Sequence, residues 1–279
     1  MKRINFLLAA AFAVFMFSSC QKDSTSTNPI VTSATDDDQV TTAYDDVDAE
    51  VDDITSNSGT LMSTAPSPTM AAYADDASSR SVVTAVNDDG SVTKTITYVN
   101  WTNPNANNGH VKNGVIVINI VGGPLQAQYS RTVTFQNFTI DDNLIEGTRL
   151  IQKIADYQYT VTLTGGKITF ADGTTYTREA NRTRTWISGM DTPYNIWDDV
   201  FSIEGSETGV NRQGETYTHT IVNALQIRRA CRWIVAGTMD IVVGDKTATL
   251  DYGNGDCDNL ATVTINGEIY DIKLRGGKK

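Results

Sequence analysis

From residue 81 onward the chain alternates apolar and polar side chains with period two, and this constrains its fold more than any other feature. Val92, Lys94, Ile96 and Tyr98 alternate with Thr93, Thr95 and Thr97; Tyr157, Tyr159, Val161 and Leu163 alternate with Gln158, Thr160, Thr162 and Thr164. Successive side chains of a strand point to opposite faces, so each run is a strand with one face packed and one wet. Less regular runs follow near residues 115–121, 131–140, 144–151, 167–170, 200–203, 215–222, 225–236, 238–243, 247–252, 260–265 and 268–274. Gly165-Gly166, Asp172-Gly173, Gly244-Asp245 and Asn266-Gly267 are hairpin turns in type. Many strands, tight turns and no helical spacing between them predict an all-β antiparallel meander. The Thr-rich second face favours an elongated or two-layer sheet, with a sandwich or an open barrel as alternatives. In Val133, Phe135, Phe138 and Ile140 the apolar phase slips by one, which predicts a bulge between Gln136 and Asn137.

One short amphipathic helix precedes the strands. Val40, Tyr44, Val47, Val51 and Ile54 recur at helical spacing with acids between them, which predicts a helix over about residues 38–57. Asp36, Asp37 and Asp38 are expected at its N-cap and first turn, and Asn57-Ser58-Gly59 at its end. Ser, Thr, Asn and Pro dominate the flanks, so residues 21–80 are expected to be an acidic tether and residues 81–279 the β-domain. The net charge of −11 belongs to the tether: residues 21–89 carry 14 acids and 2 bases, residues 90–279 carry 19 and 18. The acidic run is read first as a solvated face, with the apolar stripe docked on the body, because a short lone helix is marginal in water. A chain of this charge is no general binder of nucleic acid, whose affinity rests on Lys and Arg.

Lys2 and Arg3, the apolar run Ile4–Phe17 and Ser18-Ser19-Cys20 predict a signal peptide over residues 1–20, since the run is too short to span a bilayer comfortably. Ser18-Ser19-Cys20 resembles the lipobox of bacterial lipoproteins, which implies a lipid on Cys20 and a membrane anchor that needs no protein span. Gln21-Lys22-Asp23 is similar to the export signal of Bacteroidetes surface lipoproteins, and Asp23-Ser24-Thr25 to the O-glycosylation acceptor of that phylum. The body adds Arg131-Thr132-Val133-Thr134-Phe135, Ile145-Glu146-Gly147-Thr148-Arg149, Cys231-Arg232-Trp233 and Leu250 to Asp258. Together these resemble uncharacterised Bacteroidetes cell-surface lipoproteins. The resemblance implies an outer-membrane, lipid-anchored protein facing outward, and it carries no catalytic residue across.

With Cys20 lipidated, Cys231 and Cys257 remain, and two Cys in an exported chain favour a disulfide. Asp251, Asn254, Asp256 and Asp258 gather oxygen ligands and glycines in one loop, where Ca2+ is conceivable. Asp, Asn and Gly are equally what a tight connection uses, and that reading comes first. His110 and His219 are the two histidines, and His219, on the apolar side of a strand with no local partner, is expected to be a core residue. No nucleophile elbow, zinc-binding His-Glu-x-x-His or phosphate loop is present, so the expectation is no enzyme. Arg178, Arg182 and Arg184 share a strand face with Trp186, and Trp233 sits among further arginines; such sets bind anionic glycans or cover core edges. The function expected is binding or a structural role at the envelope, with a glycan or another envelope protein as partner. The alternatives are a carbohydrate-binding accessory of a glycan-uptake system, and a fimbrial or adhesin subunit processed at Arg80-Ser81.

Overall fold

In the computed structural model the described residues are 29–56, 78–103, 109–192, 195–231 and 233–274. Cys20, the signal peptide and most of the expected linkers lie outside them. A helix, α1 (Pro29–Ser56), precedes thirteen strands: β1 (Ser79–Val86), β2 (Val92–Trp101), β3 (Lys112–Val121), β4 (Ser130–Ile140), β5 (Asn143–Ala155), β6 (Gln158–Thr169), β7 (Thr175–Ser188), β8 (Val200–Val210), β9 (Thr216–Arg228), β10 (Ile234–Val243), β11 (Lys246–Asn254), β12 (Leu260–Ile265) and β13 (Glu268–Lys273). They form one antiparallel sheet in chain order, the meander that the alternation predicts.

The sheet is curled around the helix. Thirteen strands laid flat span about 58 Å at about 4.8 Å per strand, whereas a 28-residue helix is about 42 Å long. Yet α1 meets residues from β1 through β13. Asp52 alone binds Arg131 on β4 and Arg229 just past β9, strands about 24 Å apart in a flat sheet. The inward face of each strand therefore becomes the lining of a trough, and α1 fills it.

Bulges make the curl possible, because each adds a residue to one strand and sharpens its twist. Register shifts interrupt the pairing of β3 with β4, β4 with β5, β5 with β6, β6 with β7, β8 with β9 and β9 with β10. The expected bulge is there: Thr134 and Phe138 bracket a shift, with Asn137 at φ 48°. Gly165-Gly166 differs from expectation, forming no hairpin but a bulge inside β6. Its effect is visible in the phase, since Tyr159, Val161 and Leu163 are buried before it and Ile168 and Phe170 after it. A Gly-Gly pair supplies flexible backbone for either purpose, and here the Cβ that Gly147 lacks would lie 2.8 Å from the Gly166 backbone across the pair. The expected run 225–236 is likewise two strands, β9 and β10, broken by a turn at residues 229–230. The Asp172-Gly173, Gly244-Asp245 and Asn266-Gly267 turns stand where expected.

The helix also departs from expectation. It begins at Pro29, nine residues before the expected start, so Asp36, Asp37 and Asp38 lie inside it rather than at its cap. Pro29 suits a first helical turn, and Ile30, Val31 and Ala34 extend the stripe of Val40, Tyr44, Val47 and Val51, all buried. At the other end Lys94 of β2 donates to the Ile54 carbonyl (3.3 Å), answering the negative end of the helix. Cys231, in the β9–β10 turn, is disulfide-bonded to Cys257, in the β11–β12 loop, with Cα atoms 5.7 Å apart.

Gly205 of β8 sits at φ 126°, and a Cβ there would stand 2.3 Å from the Asn181 carbonyl oxygen of β7. Gly205→Ala is expected to cost about 1–3 kcal/mol in urea denaturation, while Ser206→Ala, exposed next door, should stay within about 0.5 kcal/mol.

Candidate functional site

The acidic run of α1 is not a solvated face. Of its nine acids, with no base among residues 29–56, Asp36, Asp37, Asp46, Asp48, Glu50 and Asp52 meet cations of the sheet and its turns. Asp37 pairs with Arg178 of β7, Asp48 with Arg149 of β5 (2.5 Å), and Glu50 with Lys112 of β3 (2.6 Å) and Arg80 of β1 (2.8 Å). Asp36 pairs with Arg212 in the β8–β9 turn (3.3 Å), and Asp46 faces His110 (3.5 Å). Carboxylates this deep require partners, because removing a charge from water costs several kcal/mol unless it is paired and hydrogen-bonded.

The most enclosed group joins Asp37, Arg178, Arg182, Glu207 and His219. Inward positions on β7, β8 and β9 supply four of them, and the helix supplies Asp37. Glu207 accepts from Arg182 and stands 3.4 Å from Arg178, while Tyr176 donates to Asp37 (3.1 Å). His219 is fully buried, its Nδ1 3.2 Å from Asp37 and 3.1 Å from Glu207, with the Tyr217 ring tilted against it at 4.5 Å. Burial alone pushes the imidazole down, but the Asp37 charge and hydrogen bonds to both carboxylates outweigh it and raise the pKa to about 9. Burial likewise pushes Glu207 up, and Arg178 and Arg182 more than reverse this, holding it well below the usual carboxylate range. Asp37, Glu207 and His219 bring three potential metal ligands within 4.8 Å. A protonated imidazole and two guanidinium groups already neutralise both carboxylates, so the set is an internal ion-pair network and fits no divalent cation.

The expected ligand-binding residues divide accordingly. Arg178, Arg182, Arg184 and Trp186 do share one face of β7, and it points inward. Arg178 and Arg182 are spent on Asp37 and Glu207. Arg184 makes no close ion pair among the described residues, though Asp48 and Asp199 lie near enough to act on its charge, and it lies over the rings of Phe201 (4.9 Å) and Tyr159 (5.7 Å). Trp186 packs on Phe201 (6.2 Å) and Tyr157 (5.9 Å), and Trp233 packs against the core. Of the four Trp, Trp197 is the exposed one. Asp251 and Asp258 accept from the backbone N–H of Gly253 and Leu260, so both cap turns of their own loop. Asn254 pairs in β11 and Asp256 is exposed; the four do not converge as a cation cage would require.

Arg184 belongs to a second cluster near the C-terminal half of α1. Arg131, Arg149 and Arg184 surround Asp48, while Arg131 and Arg229 share Asp52. Arg229 also lies over the Phe201 ring (5.8 Å). Burial, then repulsion from Arg131, holds the Arg184 pKa below its ordinary value, and burial does the same to Arg229. Buried Arg131 Nε and Nη2, Arg149 Nε and Arg184 Nε have no hydrogen-bond partner. Four guanidinium groups face Asp48, Asp52 and Asp45, whose carboxyl burial pushes up, and buried Asp199 adds its charge beside Arg184.

No family model, curated protein or solved structure matches the chain.

The His219 network sets the pH dependence of stability. A histidine raised from 6.5 to about 9 stabilises fully below pH 6.5 and loses that contribution as pH rises through 9. The unfolding free energy should fall by on the order of 3 kcal/mol across this window, and His219→Gln should flatten the slope in urea titrations run from pH 6 to pH 10. Asp37→Asn, which leaves Glu207 alone to face Arg178, Arg182 and the protonated His219, is expected to destabilise by about 3–5 kcal/mol at pH 7.

Proposed function

We propose that the chain is a lipid-anchored envelope lipoprotein whose β-domain recognises an oxyanion-bearing ligand without covalent chemistry. One observation carries the recognition: the buried N–H groups of Arg131, Arg149 and Arg184 lack acceptors in a cluster of four guanidinium groups. Phosphate, sulfate and carboxylate groups fit a guanidinium fork better than any neutral ligand, through short charge-assisted hydrogen bonds. The half-buried Arg184 and Arg229 leave the cluster a way to solvent. Lipopolysaccharide phosphates and acidic glycans both present this chemistry. A neutral-sugar platform is less favoured, because three of the four Trp pack against the core. So is strand release at Arg80-Ser81, since both residues are paired in β1 and Arg80 is held by Glu50. The anchor itself rests on Ser18-Ser19-Cys20.

The test uses the detergent-solubilised, lipidated protein with inorganic phosphate or sulfate at about 10 mM, against chloride of equal ionic strength. Since a ligand stabilises the state it binds, phosphate or sulfate should raise the melting temperature by several degrees, and Arg184→Met should abolish the difference from chloride. Equal melting in all three salts contradicts oxyanion recognition. Cys20→Ala should move the protein from the membrane to the soluble fraction, and continued membrane pelleting contradicts the anchor.

A further inference from the structure

We infer that a cleft between α1 and the β4–β6 wall binds a small amphiphile with an apolar body and a protonated amine head. The cleft has a volume of about 290 Å3, roughly twice that of an engineered cavity that holds benzene. It is independent of the guanidinium cluster of the proposed function and stands or falls separately.

Its two sides differ in chemistry. Ile140, Ile145, Ile168 and Phe170, all buried residues of the sheet side, form an apolar floor. Across from them α1 presents Gln39, Thr42, Ala43 and Asp46, spaced as one helical face. This face is distinct from the buried stripe of Val40, Tyr44, Val47 and Val51, so the helix uses one side to fill the trough and another to line the cleft. The acids gather at the edge: Asp46 from the helix and Asp141 from the β4–β5 turn both face His110, at Nε2 and Nδ1 respectively.

Two carboxylates against one imidazole leave a negative charge even when His110 is protonated. None of the lining residues is Lys or Arg, and His110, the one base in the lining, is already faced by both carboxylates. Asp141 is held in place, its Oδ1 accepting from the Val111 N–H (2.9 Å) and its own N–H bonded to the Val111 carbonyl (2.9 Å). Burial raises the Asp46 pKa to about 6 against the opposing charges of His110 and of Lys112, which is already paired with Glu50, so the carboxyl has lost water and gained no counter-charge of its own. An ammonium group seated there would supply one, while the ring or alkyl body lies on the isoleucines. An apolar pocket with a few convergent polar groups is the usual design of a small-molecule site.

Three probes of nearly equal shape test this on the solubilised full-length protein by calorimetric titration: phenethylamine, phenethyl alcohol and phenylacetate. Phenethylamine is expected to bind at least tenfold more tightly than the other two. Asp46→Asn should weaken the amine tenfold or more while leaving the alcohol unchanged. Ala43→Trp, which fills the cleft from the helix side, should remove binding of all three with the circular dichroism spectrum retained. Equal affinities, preference for phenylacetate, or no saturable binding of any probe up to 10 mM overturns the inference. The comparison of probes on the unmodified protein needs no variant to fold.

Discussion

The pairing of buried carboxylates on α1 with cations on the concave face of the sheet is the interaction on which the rest depends. A helix with nine acids and no bases gains little from entering a protein interior by hydrophobicity alone. Its stripe of Ile30, Val31, Ala34, Val40, Tyr44, Val47 and Val51 drives burial, but Asp36, Asp37 and Asp48 go in with it. Each would be prohibitive without a partner. The sheet meets this with Arg178, Arg149 and Arg212, and adds Arg80, Lys112, Arg131 and Arg229 for the acids at the margins. Such pairs add less net stability than their number suggests. What they fix is register, because sliding or rotating α1 by one residue would strand several charges at once.

The curl of the sheet follows from that requirement. Partners for one helix come from strands β1 to β9, and only a sheet bent by repeated bulges brings them to a common axis. Gly147, facing Gly166, and Gly205, facing Asn181, admit the close backbone approaches at that bend. Curl and charge therefore support each other: without the bulges the cations would be spread along a wide sheet, and without the helix they would repel one another across the trough. The two candidate sites arise where this arrangement is unbalanced. On Arg131, Arg149 and Arg184 guanidinium N–H groups are left without acceptors, and around His110 the acids exceed cations.

The strands were legible because alternation is local: each run of Thr against Val, Ile and Tyr declares its two faces without reference to anything distant. The phase slip at Gln136-Asn137 declared a bulge for the same reason. Gly165-Gly166 was ambiguous, since the same flexibility serves a turn or a bulge, and only the phase of Ile168 and Phe170 against Leu163 distinguishes them. The first turns of α1 were hidden by Thr32, Ser33 and Thr35, weak helix formers that the packing of Ile30, Val31 and Ala34 overrides. Of the site, the shared face of Arg178, Arg182, Arg184 and Trp186 could be read from spacing. Its partner could not, because Asp37 lies 141 residues from Arg178 in sequence. The Asp37 and Glu207 partners of His219 are likewise distant in sequence or on a neighbouring strand. One signal was available: a strongly acidic segment beside a nearly neutral body with an inward-facing run of arginines is a complementary pair.

Amide hydrogen exchange of α1 followed by mass spectrometry at pH 7 tests the enclosure of the helix most directly. A helix held inside the trough exchanges only when the sheet opens, so peptides covering residues 33–52 are expected to share the slow exchange of the β5–β9 peptides and to be released with them in rising urea. Exchange of α1 orders of magnitude faster than the central strands, with the sheet still protected, would contradict the account, for it would make the helix a surface appendage and its ion pairs incidental.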